Sequence, residues 1–511
     1  MPGLEELSRE ELLARVRDQD SRLRDQDVRL AEQDRRLAEQ DVRAEEQDRL
    51  LAELRAELER LRRQVSRNSR NSSLPPSADD LPGKAPPAED EAGPARRSGR
   101  KRGKQPGAKG SGLARSADPD KVEDVYPDSC GGCGQALEQG LAELVGYLAL
   151  QQVDVPLVVA AVTEFRMHRV RCGCGHVTEA GRPAGLADAP ISYGPNLQTI
   201  SVYLLVFHAV PVERVCHLIA DLTGARPSPG FVHGMLARAA ALLTGFERLL
   251  KSLIVVSYVV HFDETTLRCG PKGVKKYVWT AATALYSLYH LGDRSKDTFD
   301  EIGVADGFTG VAVHDYYAVY YVKGAFQAGV RHQLCVAHLI RHLTDAAECH
   351  PQAHWPAQAL RALRGLVHAY HQACDAGLPA IPARTRRRLI TELRQAVAVG
   401  LAQNPRRPGP RTKQTPARNL LECLRDRHDD VVAFCFDTRI PPTNNLAESS
   451  LRPHKTQQKI SGRLQSEKVT RHRLRIRSYI ATAAKHGLNV MRVLRDAITG
   501  TPWMPPEPMR T

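Results

Sequence analysis

The chain has 511 residues, 42% of them hydrophobic, which is enough for several domains with buried cores. Its 72 Lys and Arg residues exceed its 58 Asp and Glu residues, so the net charge of +14 favours a polyanionic partner. No stretch approaches the roughly 20 apolar residues of a membrane helix, and the acidic start is not typical of a signal peptide. Eleven mostly isolated cysteines favour a reducing cytoplasm, so the composition argues against membrane proteins and disulfide-rich secreted proteins.

Residues 1–66 are dominated by a seven-residue repeat. One heptad position holds Leu23, Leu30, Leu37, Ala44, Leu51 and Leu58, and the position three residues later holds Gln26, Gln33, Gln40, Gln47, Leu54 and Leu61. This period predicts a helix over residues 10–66 and a coiled coil whose seam is weak at first and firmer after Leu51. Through it we expect the chain to form a homo-oligomer. The alternative is a solvated single helix with the same charge pattern.

Residues 67–118 are rich in Pro, Gly, Ala and Ser, a composition that buries no core and predicts a flexible linker. A basic run occupies residues 96–109 within it. We expect four of its cations to contact nucleic-acid phosphates: Arg100, Lys101, Arg102 and Lys104. The alternative is a linker whose charge only adds solubility.

Residues 119–190 contain two close pairs of cysteines, which are typical of a tetrahedral zinc site. The predicted ligands are Cys130, Cys133, Cys172 and Cys174. The second pair is tighter than usual, and His168 or His176 could replace one of its thiolates. Because residues 151–170 alternate in the manner of a β-strand, we predict a small zinc-binding β module. The alternative is a redox pair, but no βαβ pattern surrounds the cysteines.

Residues 191–250 are predicted to be helical, with helices beginning at Pro195, at Pro211 and at Ser228 or Pro229. Short helices joined by turns are compatible with a DNA-binding helix-turn-helix and also with a plain helical connector. We expect this region to contribute to DNA binding.

Residues 251–335 change to a strand-like pattern. The predicted strands cover residues 253–262, 276–283, 286–291 and 310–314. Three antiparallel strands, a crossover and a fourth strand follow the order of a ribonuclease H-like core, an α/β fold with a mixed sheet and helices. Asp263 and Asp315 would then lie at the ends of the first and fourth strands.

Residues 336–440 are predicted to form a helical insertion within that core. A basic amphipathic helix is expected over residues 384–399. Cys335 and His338, at the start of the insertion, are interpreted as a packing motif rather than as metal ligands.

Residues 441–485 return to the α/β core and are predicted to hold a helix followed by a strongly basic segment. Asn445 and Glu448 have the spacing of an N-terminal capping box, which predicts the start of that helix. A final helix is expected over residues 474–498, and residues 486–511 form the C-terminal helix and tail.

Asp263, Asp315 and Glu448 are the candidate catalytic residues. Phosphodiester cleavage and transfer need an activated oxygen and a neutralised leaving oxygen, which two divalent ions roughly 4 Å apart can provide. Magnesium favours hard carboxylate oxygens, so three converging acids are enough. Taken singly, an Asp after a strand is ordinarily a turn residue, and Glu448 is ordinarily part of a helix cap.

Several motifs, among them Asp-Glu-Thr at 263–265 and Thr-Asn-Asn-Leu-Ala-Glu at 443–448, resemble the insertion sequence 66 family of bacterial DDE transposases. Others lie at residues 71–77, 104–110, 314–320, 335–341, 455–462 and 502–505. The resemblance covers nearly the whole chain. It implies a ribonuclease H-like domain in which Asp263, Asp315 and Glu448 bind magnesium or manganese.

The resemblance also implies cutting and joining of double-stranded DNA at terminal inverted repeats and at target sites, near the nucleoid. Many members have small companion proteins. The predicted phosphate contacts near Glu448 are Arg452, Lys455, Lys459 and Arg463. The chain departs from the family pattern at Ser449, where Arg is common, at Lys104, where Gly is common, and at Ala108, where His is common. None of these differences removes a catalytic acid.

Two other functions are compatible with parts of the sequence. One is a catalytically inactive, domesticated DNA-binding protein, against which the presence of all three acids argues. The other is a coiled-coil scaffold, which explains residues 10–66 alone.

Overall fold

The computed structural model describes residues 9–66, 115–137, 144–155, 158–183, 185–409 and 411–506. Its contacts divide the chain into two compact units, one of residues 89–236 and one of residues 1–88 together with residues 237–511. No helix in the described ranges is long and apolar enough to cross a membrane. The predicted phosphate contacts Arg100, Lys101, Arg102 and Lys104 lie outside the described residues.

The N-terminal repeat forms one helix, α1 (Arg9–Ser66), as its period predicted. Leucines of the predicted seam are between 48% and 65% exposed in the single chain: Leu30, Leu37, Leu51, Leu54 and Leu58. Surface ion pairs such as Arg36 with Glu32, at 3.1 Å, add only about 0.3–0.5 kcal/mol each. A long exposed apolar seam is the pattern of a coiled-coil strand, and the coiled coil itself stays a prediction.

In the unit of residues 89–236, each of the two cysteine pairs lies in a tight hairpin turn. Ser129 and Ala136 bridge across the turn that holds the first pair. The second pair follows β1 (Arg169–Arg171), which pairs antiparallel with β2 (Val177–Glu179). Both turns bring two thiols close together in the sequence and in space.

The longer strand predicted over residues 151–170 is wrong for most of its length. The described residues 151–155 and 158–168 contain no strand, and only the start of β1 falls within the predicted range. The alternating valines are at least 76% exposed: Val153, Val155 and Val159. Alternation forms a strand where one face is buried, and within the described ranges no apolar surface covers these side chains.

The helical region begins with α2 (Pro195–Val202), which continues as a π-helical turn over Tyr203–Phe207, and α3 (Val212–Thr223). Next come α4 (Pro229–Leu242) and α5 (Thr244–Val255). The sequence predicted α4 and α5 as one helix, but the backbone leaves helical geometry at Leu243 (φ −99°, ψ 10°). The helix-turn-helix stays a prediction.

A mixed sheet forms the centre of the larger unit. Its strands are β3 (Val259–Leu267), β4 (Lys276–Ala282), β5 (Ser287–Gly292), β6 (Val311–His314) and β7 (Arg331–Leu334), with α6 (Lys296–Glu301) between β5 and β6. The order is β5-β4-β3-β6-β7, in which β3, β4 and β5 are antiparallel neighbours while β6 runs parallel to both β3 and β7. Four of these strands were predicted, whereas the short polar sequence of β7 did not indicate a strand.

The first strand of this sheet starts later than predicted. The apolar run that begins at Leu253 is the end of α5, where the Leu253 side chain is buried. The Ser257 hydroxyl donates to the Leu253 carbonyl at 2.8 Å and closes the helix. The strand then begins at Val259 and continues to Leu267, so Asp263 lies inside β3 rather than at its end.

The predicted insertion is helical in the residues that the structure describes. Its helices are α7 (Val336–Cys349), α8 (Trp355–Asp375), α9 (Ala383–Gln403), α10 (Pro416–Asp426) and α11 (His428–Val432). Their buried side chains, Trp355 and Leu421 among them, form one cluster with Val311 of β6 and Leu334 of β7. The insertion therefore shares its hydrophobic core with the sheet.

The C-terminal part contains α12 (Asn445–Ile460), α13 (Glu467–Lys485) and α14 (Val490–Ile498). The sequence predicted one continuous helix over residues 474–498. The chain instead turns at Gly487, whose φ of 72° is in the left-handed region that commonly ends helices.

Both faces of the sheet are covered. On one face, Leu451 of α12 and Leu474 of α13 pack in a cluster with Val278 of β4. On the other face lies an aromatic cluster of Phe262, Trp279, Phe299, Phe308, Tyr320 and Phe326. Because side chains alternate along a strand, Phe262 faces the aromatic cluster while Asp263 faces α12.

The capping box predicted for α12 is wrong. The residue before the helix is Asn444, and its side chain makes no capping hydrogen bond. Asn444 is fully buried, donates from Nδ2 to the Phe262 carbonyl at 2.8 Å and shares a 3.0 Å hydrogen bond through Oδ1 with His261 Nδ1. Asn445 is exposed. The start of α12 is therefore tied to the central strand and not to its own first turn.

Replacing Asn444 with Ala should lower the free energy of unfolding by about 2–3 kcal/mol, because two hydrogen bonds are lost and a buried strand carbonyl is left without a partner. Asn445→Ala should change it by less than about 0.5 kcal/mol, as expected of an exposed side chain. Urea unfolding followed by circular dichroism measures both. The reverse ranking would restore the capping-box interpretation.

Candidate active site

The three candidate carboxylates come from segments far apart in the sequence. β3 and β6 are parallel neighbours in which His261 pairs with Val313. Asp263 and Asp315 each follow two residues later, so the register places Asp315, the residue after β6, level with Asp263 on β3. Glu448 lies in the first turn of α12, the helix that covers this face of β3. The structure therefore brings together the three acids that the sequence analysis selected.

The pKa of each of the two aspartates is raised. Burial is the largest cause of the raised pKa of Asp263, followed by the charges of Asp315, Glu264 and Glu448. Burial also raises the pKa of Asp315, with Glu448 adding to the shift and Arg294 opposing it. Like charges confined in this way are unfavourable, and a bound divalent cation would reverse the sign of the interaction.

Glu264 is a fourth acid of the site, which the sequence analysis did not select. Its side chain is only 2% exposed. Arg294 Nε donates to its Oε1 at 2.9 Å, and the Tyr320 hydroxyl donates to its Oε2 at 2.9 Å. Burial and the charge of Asp315 raise the pKa of Glu264 to about 7, although Arg294 opposes the shift. Its position next to Asp263 was the one signal available in the sequence.

Arg294 connects Glu264 to the loop after β6. Its guanidinium carbon lies 3.9 Å from the centre of the Tyr317 ring, and the Tyr317 hydroxyl donates to the Arg294 carbonyl at 3.0 Å. The Tyr317 N–H donates in turn to Asp315 Oδ1 at 3.2 Å. A continuous set of contacts thus runs from Glu264 to Asp315 and orients both acids.

Glu448 lies next to α7 with 27% of its side chain exposed. Its Oε1 is 3.8 Å from His338 Nε2 and 3.7 Å from Arg341 Nη2, distances too long for hydrogen bonds. Cys335 Sγ also lies within 4.8 Å of ligand atoms of His338 and Glu448. The sequence analysis interpreted Cys335 and His338 as a packing motif, and the structure places both beside a candidate catalytic acid.

A cleft of about 380 Å³ opens beside Asp315, between the loop after β6, α7 and α10. Cys335 and His338 line it on the α7 side, while Cys423 lines it from α10. Lys413, in the loop before α10, adds a positive charge to its wall. Asp315 therefore borders a space that a ligand can enter.

The predicted phosphate contacts near Glu448 divide into two groups. Three are exposed along one side of α12: Arg452, Lys455 and Lys459. Arg463 is half-buried, and its Nη1 donates to the carbonyls of Gly270 and Pro271 at 3.1 and 3.0 Å. Arg463 thus connects the turn after β3 to the segment after α12, a structural role that its charge did not indicate.

The four predicted zinc ligands remain as two separate pairs. Backbone N–H groups and the thiol of the pair partner lower the pKa of Cys130 and of Cys172, as in a site prepared for thiolates. Within the described residues, Cys335, His338 and Glu448 are the one group of three such ligands whose atoms all lie within 4.8 Å of each other. Zinc at the cysteine module stays a prediction.

Comparison with known proteins gives two family matches. Residues 190–471 match the transposase IS66 family, a range that covers more than half of the chain and contains all three candidate acids. Residues 2–114 match a family of unknown function (DUF6444). No curated protein matches the chain.

The raised pKa of Glu264 predicts a pH-dependent stability. The folded state holds its proton up to a pH of about 7, while the unfolded chain releases it near 4.5. The free energy of unfolding of the metal-free protein should therefore fall, on the order of 3 kcal/mol, as the pH rises through this window. Glu264→Gln should remove the Glu264 share of this slope in urea unfolding with chelator present, while the raised pKa values of Asp263 and Asp315 maintain the remainder.

Glu392→Gln, on the partly exposed surface of α9, serves as the control and should follow the wild-type curve. Parallel curves for the wild type and Glu264→Gln would show that Glu264 ionises normally in the folded state.

Proposed function

Because the chain belongs to the IS66 family of transposases, we propose that it binds the terminal inverted repeats of an insertion sequence and catalyses metal-dependent cleavage and strand transfer of DNA. The observation that carries this proposal is the meeting of Asp263, Asp315 and Glu448 on one face of the sheet. Their neighbours point to chemistry on a phosphodiester, since cations surround the site and a cleft opens beside it.

The catalytic domain is a ribonuclease H-like fold in this proposal. Three antiparallel strands followed by two parallel ones, in the order β5-β4-β3-β6-β7, support that assignment. β3 and β6 are the first and fourth strands of this sheet in chain order, and in space they are neighbours at its centre. This topology brings acids on both strands to the same place, and the helical insertion enters the fold between β7 and α12.

The donor set fits magnesium or manganese. All three proposed ligands are carboxylates, the hard oxygen donors that these ions prefer. Burial and mutual repulsion raise the pKa of Asp263 and of Asp315, an energetic cost that a divalent cation would offset. When bound there, such ions activate the attacking oxygen and stabilise the leaving oxygen of the phosphodiester.

The protein's own residues orient the site and the substrate. The Tyr317 N–H holds Asp315, and the Asn444 side chain holds the start of the helix that carries Glu448. Arg341, close to Glu448, supplies a positive charge on the α7 side of the acids, where a phosphate would lie. The exposed cations Arg452 and Lys455 extend this positive surface along α12 and would follow the DNA backbone.

The N-terminal parts complete the proposal. The seam of α1 would join two or more chains so that both ends of an element are held together, and companion proteins of the element would act with them. The zinc module, the helices after it and the basic linker would bind the terminal repeats. A catalytically inactive DNA-binding protein is the alternative outcome of the experiments below.

Glu448→Gln should reduce magnesium-dependent cleavage of terminal-repeat DNA to background while folding and DNA binding persist, because only a charged metal ligand is lost. The exposed neighbour Ser449 offers a matched control, and Ser449→Ala should cleave as the wild type does. Gel assays of cleavage and of band shift, with circular dichroism, measure the three properties. Unchanged cleavage by Asp263→Ala would contradict the catalytic assignment.

Lys455→Ala and Lys459→Ala should each weaken DNA binding and reduce the slope of log affinity against log salt by about 1, because each removes one phosphate contact. Arg463→Ala is the comparison, since its guanidinium is held by two carbonyls. It should lower thermal stability and leave the slope unchanged. Fluorescence anisotropy over a salt series measures the slopes, and equal slopes in all variants would remove α12 from the DNA-binding surface.

A further inference from the structure

Cys335, His338 and Glu448 present three kinds of metal ligand to one point. One ligand atom from each lies within 4.8 Å of the other two. Thiolate, imidazole and carboxylate together are a donor set for zinc, whereas magnesium avoids sulfur and nitrogen. Around a tetrahedral zinc the ligand atoms would be roughly 3–4 Å apart, a distance that small side-chain rotations here could reach.

The Cys335 thiol lies in surroundings that suit a metal-bound thiolate. It is 1% exposed at the residue before α7, and the Asn444 N–H donates to its Sγ at 3.2 Å. The thiol therefore already has a backbone N–H donor in place, of the kind that stabilises a metal-bound thiolate.

His338 and Glu448 each have a buried atom that needs a partner. His338 Nε2 lies 3.8 Å from Glu448 Oε1, so the imidazole faces the carboxylate without a hydrogen bond between them. Its Nδ1 and Glu448 Oε1 are both buried and, in the described part of the chain, make no hydrogen bond. Buried polar atoms are satisfied in most proteins, so two unsatisfied atoms beside one thiol indicate a missing ligand.

We infer that Cys335, His338 and Glu448 form a second metal site, for a thiophilic divalent ion such as zinc, which shares Glu448 with the magnesium site. The site itself depends only on these three residues. Its consequence rests on the proposed function: an ion held by sulfur and imidazole draws Glu448 away from Asp263 and Asp315, so zinc inhibits the magnesium-dependent reaction.

Cobalt(II) is a suitable probe because a cobalt–thiolate bond gives a charge-transfer absorption band. The full chain should carry Ser in place of Cys130, Cys133, Cys172 and Cys174, so that the predicted zinc module does not contribute. This chain should bind one cobalt ion with a thiolate band. Cys335→Ser should lose the band, and His338→Ala should weaken cobalt binding about tenfold or more.

Cys423 provides the matched control, because it is also a buried cysteine that lines the same cleft. Cys423→Ser should keep the full band. The chain with the four serines is the reference protein. The inference is overturned if this reference shows no thiolate band. It is also overturned if Cys335→Ser and His338→Ala both bind cobalt as tightly as the reference does. Should Cys335→Ser unfold, the His338→Ala affinity decides the question.

Zinc titrated into the magnesium-dependent cleavage reaction then tests the consequence. Cleavage should fall as zinc occupies the site, and addition of a zinc chelator should restore it. A thiolate band without any magnesium-dependent cleavage would support the metal site and contradict the proposed function. Magnesium-dependent cleavage without a band would support the function and contradict the metal site.

Discussion

The buried side chain of Asn444 joins two segments of the larger unit that lie 182 residues apart in the sequence. Its hydrogen bonds to Phe262 and His261 set the first turn of α12 against β3, and that turn carries Glu448. The spacing between Glu448 and the two aspartates therefore depends on one amide. Hydrogen bonds are directional, whereas the hydrophobic effect is not. The amide of Asn444 therefore fixes the position of the helix start more closely than apolar packing alone would.

Much of the larger unit follows from pattern in the sequence, and the errors have local causes. Four strands and the helical insertion were predicted because their apolar patterns are clear, whereas the start of α12 was predicted from a capping box that the structure does not contain. The first strand was misplaced because apolar residues continue without interruption from the buried face of α5 into β3. β7 was missed because it is short and polar, and it is a strand only because β6 lies beside it. The strand expected between the cysteine pairs had the right alternation, but its described valines are exposed instead of packed on a core.

At the candidate site, the sequence selected three acids that the structure brings close together, but it did not indicate what surrounds them. Asp263, Asp315 and Glu448 occur in motifs that resemble those of a known family, and that resemblance selected them. Glu264, Arg294 and Tyr320 are linked only through space, and neither spacing nor residue type could join them. His338 and Glu448 are likewise neighbours only in space, so the sequence did not pair them. The resulting cluster of buried acids is poorly stabilised by itself, which is the usual condition of a site whose stability is completed by a ligand.

The helical insertion leaves the sheet and returns to it at adjacent points. The Val336 N–H donates to the Pro442 carbonyl at 2.8 Å, and the Asn444 N–H donates to Cys335 Sγ at 3.2 Å. These two bonds close a loop of more than a hundred residues at its base, one helical turn from Glu448. The insertion is for this reason mechanically coupled to the site. A displacement of α7 against the sheet would therefore act at that base, beside the helix that carries Glu448.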